Sequence, residues 1–164
     1  MRGGRRMAYL IDGNNFLGLT VAPAYRDPQH RYDLVRKLLI FQRVTRSRVI
    51  LVFDGPPDPH LEGEEFEGRS FSVLFPPPGL TADTLIKEFL DARRDLRHFF
   101  LVSSDRELKS AARSRGATVL ACGEFNAMLK ETLKKNRSSR EMSKTAEKPT
   151  PLEVGLWSDL FSKK

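Results

Sequence analysis

Four aspartates stand at the predicted ends of strands or starts of helices. Asp12 closes the apolar run Ala-Tyr-Leu-Ile-Asp, Asp54 closes Val-Ile-Leu-Val-Phe-Asp, Asp105 follows Phe-Leu-Val-Ser-Ser, and Asp83 opens a helical segment. Mg²⁺ and Mn²⁺ prefer oxygen ligands and are commonly held by one or two carboxylates, several waters and a substrate phosphate. Carboxylates that converge without a cation repel one another strongly. This layout therefore predicts a divalent-metal site suited to phosphodiester hydrolysis.

The elements that would position these acids alternate along the chain. Apolar residues at helical spacing follow the N-cap candidates Asp33, Thr81 and Ser104 and predict a helix after each, and a last helix follows Gly123. Apolar runs predict strands over 9–11, 49–53, 70–75, 98–102 and 117–121. This alternation predicts an α/β fold with three layers around a mostly parallel sheet of about five strands. The carboxyl ends of such strands open onto a crevice, where we expect the aspartates to meet.

Each acid also has a purely structural interpretation. Asp12 followed by Gly13 is typical of a strand-to-turn junction, and Asp83 and Asp105 are helix-start acids, which the helix dipole favours. Taken singly, each structural interpretation is the commoner one. Their shared position at strand ends and helix starts favours the metal site, with Asp12 and Asp105 as the best ligand candidates. Asp83 reaches the same crevice, and the opening of the crevice beside these three acids is called the mouth below.

Neighbouring polar residues are the candidates for substrate contact. Ser103 and Ser104 carry hydroxyls that could donate to a carboxylate, a metal's water or a phosphate, although helix capping alone explains Ser104. Lys87 and Arg106 lie close in sequence to the acids and are predicted to contact substrate phosphate. A solvated helix face explains these two cations equally well.

The positive charge of the chain lies mainly at its ends. The net charge is +7, yet residues 7–133 contain 17 basic and 17 acidic side chains. The excess comes from Arg2, Arg5 and Arg6 and from residues 134–164. A neutral body with basic arms suits a protein that gathers phosphate at flexible ends and keeps an acidic pocket for metal. Basic tails that only aid solubility explain the same pattern.

Composition also predicts the segment boundaries. We expect a basic arm at 1–6, a folded domain at 7–133, a disordered basic linker at 134–150 and a short amphipathic segment at 151–164. The last segment either docks on its own domain or binds a protein partner. The apolar stretch after the basic start is too short for a signal sequence, and we expect a cytoplasmic protein without membrane contact. The single cysteine, Cys122, is typical of a small core residue.

Four motifs, taken in order, resemble those of NYN domains in the PIN-like nuclease superfamily, and their order is most similar to the bacterial YacP-like branch. The motifs are Ile11-Asp12-Gly13-Asn14-Asn15, Val52-Phe53-Asp54-Gly55, Thr81-Ala82-Asp83-Thr84-Leu85-Ile86 and Val102-Ser103-Ser104-Asp105-Arg106-Glu107-Leu108. The resemblance covers about residues 7–133. It implies a PIN-like Rossmannoid sheet and an endoribonuclease that cleaves single-stranded RNA with Mg²⁺ or Mn²⁺.

The resemblance also implies roles for individual residues. Asp12, Asp83 and Asp105 match the family's catalytic metal-binding positions, and Asp54 matches an acid in a supporting position. Asn15 matches the asparagine of the family's Asp-Gly-Tyr-Asn signature and becomes a candidate for substrate contact.

Two positions depart from the family pattern. Asn14 replaces the aromatic residue of the signature, and Thr84 stands where many relatives carry a second acid. Thr84 in place of a second acid disfavours a second tightly held metal ion. Few aromatic residues are placed to stack on bases, so we expect limited sequence specificity unless a partner such as the ribosome positions the RNA.

Other function classes fit the chain less well. It contains neither the glycine pattern of dinucleotide-binding domains nor a P-loop. A flap-type DNA nuclease has a similar first motif, but 164 residues leave little room for its helical arch and DNA-gripping elements. The rival from a different class is a non-catalytic RNA-binding or adaptor module, in which the aspartates only support the fold.

Overall fold

The central sheet has five parallel strands, as predicted. The computed structural model describes residues 6–20 and 28–146, with the backbone alone for 143–146. The strands are β1 (Ala8–Asp12), β2 (Arg48–Val52), β3 (Phe71–Leu74), β4 (Phe99–Val102) and β5 (Thr118–Leu120). They lie in the order β3-β2-β1-β4-β5. Within the described residues, no helix has the length and apolarity needed to span a membrane.

Helices cover both faces of the sheet, which confirms the three-layer α/β prediction. One face carries α1 (Gly13–Thr20), α2 (Pro28–Thr45) and α5 (Cys122–Ala146), and the other carries α3 (Ala82–Asp91) and α4 (Arg106–Ser114). Side chains of β1 alternate between the two cores, with Ile11 in the first and Leu10 in the second. Both are fully buried. This burial explains why the central strands read as nearly continuous apolar runs.

The first crossover differs from the prediction. Helix α1 was not predicted, because Gly13, Asn14 and Asn15 are turn-forming residues at its start. Helix α2 begins at Pro28 rather than after Asp33. Proline at the first helical position has its φ angle preset, so the helix starts there. Asp33 lies inside the helix, where its carboxylate accepts a hydrogen bond from Gln29 at 3.0 Å.

The predicted disordered linker is wrong over most of its length. Helix α5 continues to Ala146, so residues 134–146 are helical. Phe125, Leu129 and Leu133 bury its first half in the core, and the lysines and arginines that follow are good helix formers that let the helix propagate. Residues 147–150, the predicted amphipathic segment 151–164 and residues 1–5 of the arm lie outside the described residues.

The order of the strands reverses at β1. The chain moves from β1 to β2 and β3 on one side, and α3 then carries it across to β4 on the other side. Ligands of open α/β sheets bind at such a reversal, outside the carboxyl ends of the strands. In this molecule that position lies between the end of β1, at Asp12, and the end of β4.

Candidate active site

Asp12 is a buried carboxylate at the carboxyl end of β1, with only 5% of the residue exposed. The Ser103 hydroxyl donates a hydrogen bond to its Oδ2 at 3.2 Å. Its pKa is raised from 3.8 to about 6, chiefly by burial, then by Asp83 and more weakly by Asp105, while hydrogen bonds from Ser103 and the Asn15 backbone lower it. A carboxylate held in this way is costly to ionise without a cation nearby.

Asp83 and Asp105 approach the same mouth from two helix starts. Asp83 lies in the first turn of α3 and is partly buried. Its pKa is raised mainly by burial, then by Asp105, with smaller contributions from Asp54 and Glu107, while Lys87 lowers it. The predicted site acids therefore interact electrostatically across three separate elements.

Asp105, not Ser104, caps α4. Its Oδ1 accepts a hydrogen bond from the Leu108 backbone at 3.0 Å, which corrects the prediction of a Ser104 cap. The Ser104 hydroxyl instead accepts from the backbone N–H of Cys122 at 3.3 Å, at the start of α5. The cap uses Oδ1 of Asp105, and Oδ2 takes no part in this hydrogen bond.

Asp54 is exposed and holds the start of α3. Its Oδ1 accepts a hydrogen bond from the Ala82 N–H at 3.1 Å, and its own N–H donates to the Asn14 Oδ1 at 2.8 Å. Ala82 immediately precedes Asp83. The loop after β2 is thereby attached both to the end of β1 and to the helix that carries a second acid.

Asn15 ties three elements together through one oxygen. Its Oδ1 accepts hydrogen bonds from the Ser104 N–H at 2.8 Å and from the Cys122 Sγ at 3.3 Å. Its backbone N–H faces Asp12. The prediction assigned Asn15 to substrate contact; in the structure its amide oxygen joins the start of α1 to the residues after β4 and to the start of α5.

Ser103 is fully buried beside the acids of the site. Donation to a carboxylate, one of the contacts predicted for its hydroxyl, is present in the structure, and its contact with substrate stays a prediction. The hydroxyl donates to Asp12 and accepts from the Asp105 N–H at 3.1 Å. Ser103 therefore orients two of the acids, one on each side of the strand-order reversal.

Two residues of the site were missed by sequence reasoning. Asn14 is the first, since it fixes the loop after β2. Glu107 is the second: it lies in the first turn of α4, interacts electrostatically with Asp83, and pairs with Lys87 at 3.8 Å between Nζ and Oε2. Its position two residues after Asp105 was the available signal. Lys87 therefore lies beside the acids, and Arg106 is exposed on the first turn of α4; contact of these two cations with phosphate stays a prediction.

The donor set fits a hydrated divalent cation rather than a closed cage. Among the described residues, no three carboxylate, imidazole or thiol groups lie close enough to hold an ion together. Mg²⁺ keeps several of its waters and needs only one or two protein carboxylates. Asp12, with its costly charge, and the neighbouring Asp83 and Asp105 carry hard carboxylate oxygens of the kind that such an ion prefers.

The fold is that of a Rossmannoid α/β domain, and its acids lie where the order of the strands reverses. The sequence model of the YacP-like NYN domain matches residues 9–161, and the chain belongs to that family. The matched range extends past residue 133, the predicted end of the domain. Family membership indicates a nuclease-type, RNA-related function.

Solved structures of a family member are similar over most of the chain. The structure of Rae1 (YacP) from Bacillus subtilis has a TM-score of 0.64 and 26% identity, and the similarity covers 94% of this chain and 90% of that one. A point mutant of the same protein gives a TM-score of 0.64 at 24% identity, over 90% and 89% of the two chains. No curated protein matches the sequence significantly. The predicted family is confirmed.

Proposed function

We propose that this protein is a Mg²⁺- or Mn²⁺-dependent endoribonuclease that hydrolyses phosphodiester bonds of single-stranded RNA. The observation that carries the proposal is the buried Asp12 carboxylate, whose pKa is raised to about 6 beside Asp83 and Asp105. A cluster of this kind, set at a crevice, is typical of functional sites because only a ligand of opposite charge relieves it. Membership of the YacP-like NYN family supports the same class of activity.

The residues would divide the work as follows. One or two of Asp12, Asp83 and Asp105 would ligate the ion directly, and water would complete its coordination and link it to the remaining acid. The bound ion would activate a water and stabilise the charge that develops on the scissile phosphate. Ser103 and the Asn15 backbone N–H orient Asp12, and Asp54 holds the start of α3. Lys87 and Arg106 would contact phosphates of the substrate at the rim.

The surface supports backbone contact more than base reading. Among the described residues, the exposed large apolar side chains are aliphatic or methionine and none is aromatic. Base-stacking platforms need exposed aromatic rings. We therefore propose low intrinsic sequence preference, with target choice supplied by a partner that presents the RNA, for which the translating ribosome is the candidate.

The test is cleavage of a varied pool of single-stranded RNA. Purified protein should cut the pool with Mn²⁺ or Mg²⁺ and not with EDTA, and Asp12→Asn should reduce the rate by at least about a hundredfold. Asp91→Asn is the matched control, because Asp91 lies at the far end of the helix that carries Asp83 and pairs with Arg115. An uncut pool, with translating ribosomes included, would refute the enzymatic proposal.

The alternative is a non-catalytic RNA-binding module. Two observations favour it: Asp54 and Asp105 each have a structural hydrogen bond, and no closed metal cage is present among the described residues. One measurement distinguishes the endoribonuclease from the binding module. Binding of RNA that is unchanged by chelation and by Asp12→Asn, with no cleavage, would establish the module.

A further inference from the structure

Arginines gather at the end of the sheet opposite the acids. Since all strands are parallel, residues that precede them meet at one edge. An arginine lies two or three residues ahead of every strand: Arg6, Arg46, Arg69, Arg97 and Arg115. Two of these are already neutralised, since Arg97 pairs with Asp95 and Arg115 with Asp91.

A cleft of about 240 Å³ opens at this arginine-rich edge. Its basic lining comes from Arg6, Arg93, Arg94 and His98. Arg6 also bonds to the starts of β2 and β3: Nε donates to the Arg46 carbonyl at 3.2 Å, and Nη2 donates to the Ser47 carbonyl and the Ser70 hydroxyl at 3.2 and 2.9 Å. One wall of the cleft is therefore fixed to three strands.

Arg93 is held rigidly on the other wall. Its guanidinium lies 5.1 Å from the ring centroids of both Phe89 and Phe99. Burial and the nearby Arg48 both lower the pKa of Arg93, so two guanidinium groups lie close together here. The Nε of Arg48 is buried without a hydrogen-bond partner among the described residues. A buried donor without an acceptor is costly, so Arg48 adds uncompensated positive charge behind the lining of the cleft.

Acids do not compensate this cluster. The cleft lining includes Asp95, but both of its oxygens accept from Arg97, at 3.0 and 2.8 Å. Within the part of the chain that the structure describes, Arg48, Arg93 and Arg94 form no ion pair. A planar guanidinium that is fixed and unpaired matches the geometry of a phosphate group.

The cleft and the acidic mouth are too far apart to share one phosphate. The longest strands have five residues, which at about 3.3 Å per residue puts roughly 17 Å between the two edges of the sheet. A phosphate bound in the cleft must therefore lie away from the cleaved position. It could belong only to a longer stretch of the same RNA or to a second RNA segment.

We propose that this cleft is a second RNA-binding site that takes a backbone phosphate remote from the scissile bond. The proposal builds on the proposed function, because it assumes that RNA is the polyanion the protein meets. The site contributes affinity for long RNA and none for an oligonucleotide that fills only the mouth. It does not read sequence, since phosphate contacts carry no base information.

The experiment compares two charge reversals in EDTA, where no cleavage occurs. Arg94→Glu changes an exposed residue of the cleft, and Lys37→Glu makes the same change on an exposed residue of α2, outside both the cleft and the basic half of α5. At physiological salt, Arg94→Glu should weaken the binding of a long single-stranded RNA about tenfold and make its salt dependence shallower. A short oligoribonucleotide should bind both variants as it binds the wild type.

The outcomes separate this proposal from the proposed function. If Arg94→Glu and Lys37→Glu affect long RNA equally, or neither affects it, the cleft is not an RNA site, whether or not the protein cleaves RNA. A loss specific to Arg94→Glu in a protein without nuclease activity supports the cleft and refutes only the enzyme. If Arg94→Glu weakens binding of polyglutamate and leaves long RNA unchanged, the cleft takes an acidic protein and the proposal is wrong.

Discussion

At the scale of single residues, the side chain with the greatest electrostatic cost is Asp12. It is buried, lies near two other acids, and is oriented by Ser103. Polar residues that destabilise the fold and persist in a crevice are typical of functional sites, where stability is given up for activity. The structural interpretation of Asp12 as a simple strand-to-turn junction explains its place in the chain but not its burial.

Replacing Asp12 by asparagine should stabilise the metal-free protein. The pKa of Asp12 is about 6 when folded and 3.8 in the reference state, so the folded protein binds the proton more tightly. Its ionisation therefore lowers the free energy of unfolding as the pH rises from about 4 to above 6, by up to about 3 kcal/mol. Asp12→Asn should remove this loss, and urea unfolding in EDTA at pH 7 and pH 4 measures it.

The gain should be nearly full at pH 7 and small at pH 4, where Asp12 is protonated in the folded state and only partly ionised in the unfolded state. Asp91→Asn serves as the control, because it removes an exposed ion pair with Arg115 and should change stability little. A loss of stability at pH 7 in Asp12→Asn would show that the carboxylate supports the fold and would contradict the electrostatic argument.

At the scale of elements, hydrogen bonds from loops set the positions of the helix starts. Asp54 joins the end of β2 to the start of α3, and Asn14 joins the same loop to the start of α1. Asn15 joins the start of α1 to the end of β4 and to α5. These bonds explain how acids on separate elements reach one mouth. Asp54 therefore acts on the site through α3, as a positioning residue.

The role of Asp54 can be tested with two substitutions. Asp54→Ala removes the acceptor of the Ala82 N–H and should cost about 0.5–2 kcal/mol in stability and lower kcat. Asp54→Asn keeps an oxygen in the same place and should restore both stability and kcat to near the wild-type values. Thermal unfolding and cleavage rates measured across metal concentrations check this.

A different result would assign Asp54 to the metal. If Asp54→Asn loses activity as fully as Asp54→Ala, and more metal restores part of it, then the charge matters and not the hydrogen bond. Asp58→Asn is a suitable comparison, since Asp58 follows in the same loop and accepts bonds from Tyr32 and His60 away from α3.

At the scale of the whole molecule, charge is separated into three regions. The carboxyl ends of the strands carry acids, the amino-terminal edge carries arginines, and the second half of α5 carries Lys134, Lys135, Arg137 and Arg140. The basic excess predicted for a flexible linker thus lies mainly on a helix. Residues 147–164 contain three basic and three acidic side chains and add no net charge.

This distribution predicts which part of the C-terminal region attracts RNA. Removing residues 147–164 should leave the salt dependence of RNA binding unchanged, because no net charge is lost. Replacing Lys134 and Lys135 by glutamine should weaken binding and lower the slope of log affinity against log salt by about one to two. Binding isotherms over a salt series measure the slope for both variants. A lower slope after removal of residues 147–164, with no change after substitution of the two lysines, would locate RNA contact beyond the helix.

The sequence by itself determined the sheet, its layers and the acids. Strands buried on both faces leave long apolar runs, and an acid that ends such a run is visible because the contrast is local. Helix α1 was missed because glycine and asparagine also form turns, and the start of α2 was placed at the Asp33 cap candidate although Pro28 begins the helix. The helix over 134–146 was missed because polar helices depend on an anchored first half, here Phe125 to Leu133, which lies earlier in the chain.

Only the tertiary structure decided what surrounds each acid. Ser103 looked like a substrate contact and proved fully buried, and Asn15 proved to join strands distant in sequence. The cost of the Asp12 charge also depends on burial and on Asp83 and Asp105, which no local pattern reveals. The arginines ahead of the strands became one surface only when the strands were aligned in parallel. Burial, charge interaction and shared edges are properties of contacts between distant segments, and the fold alone creates them.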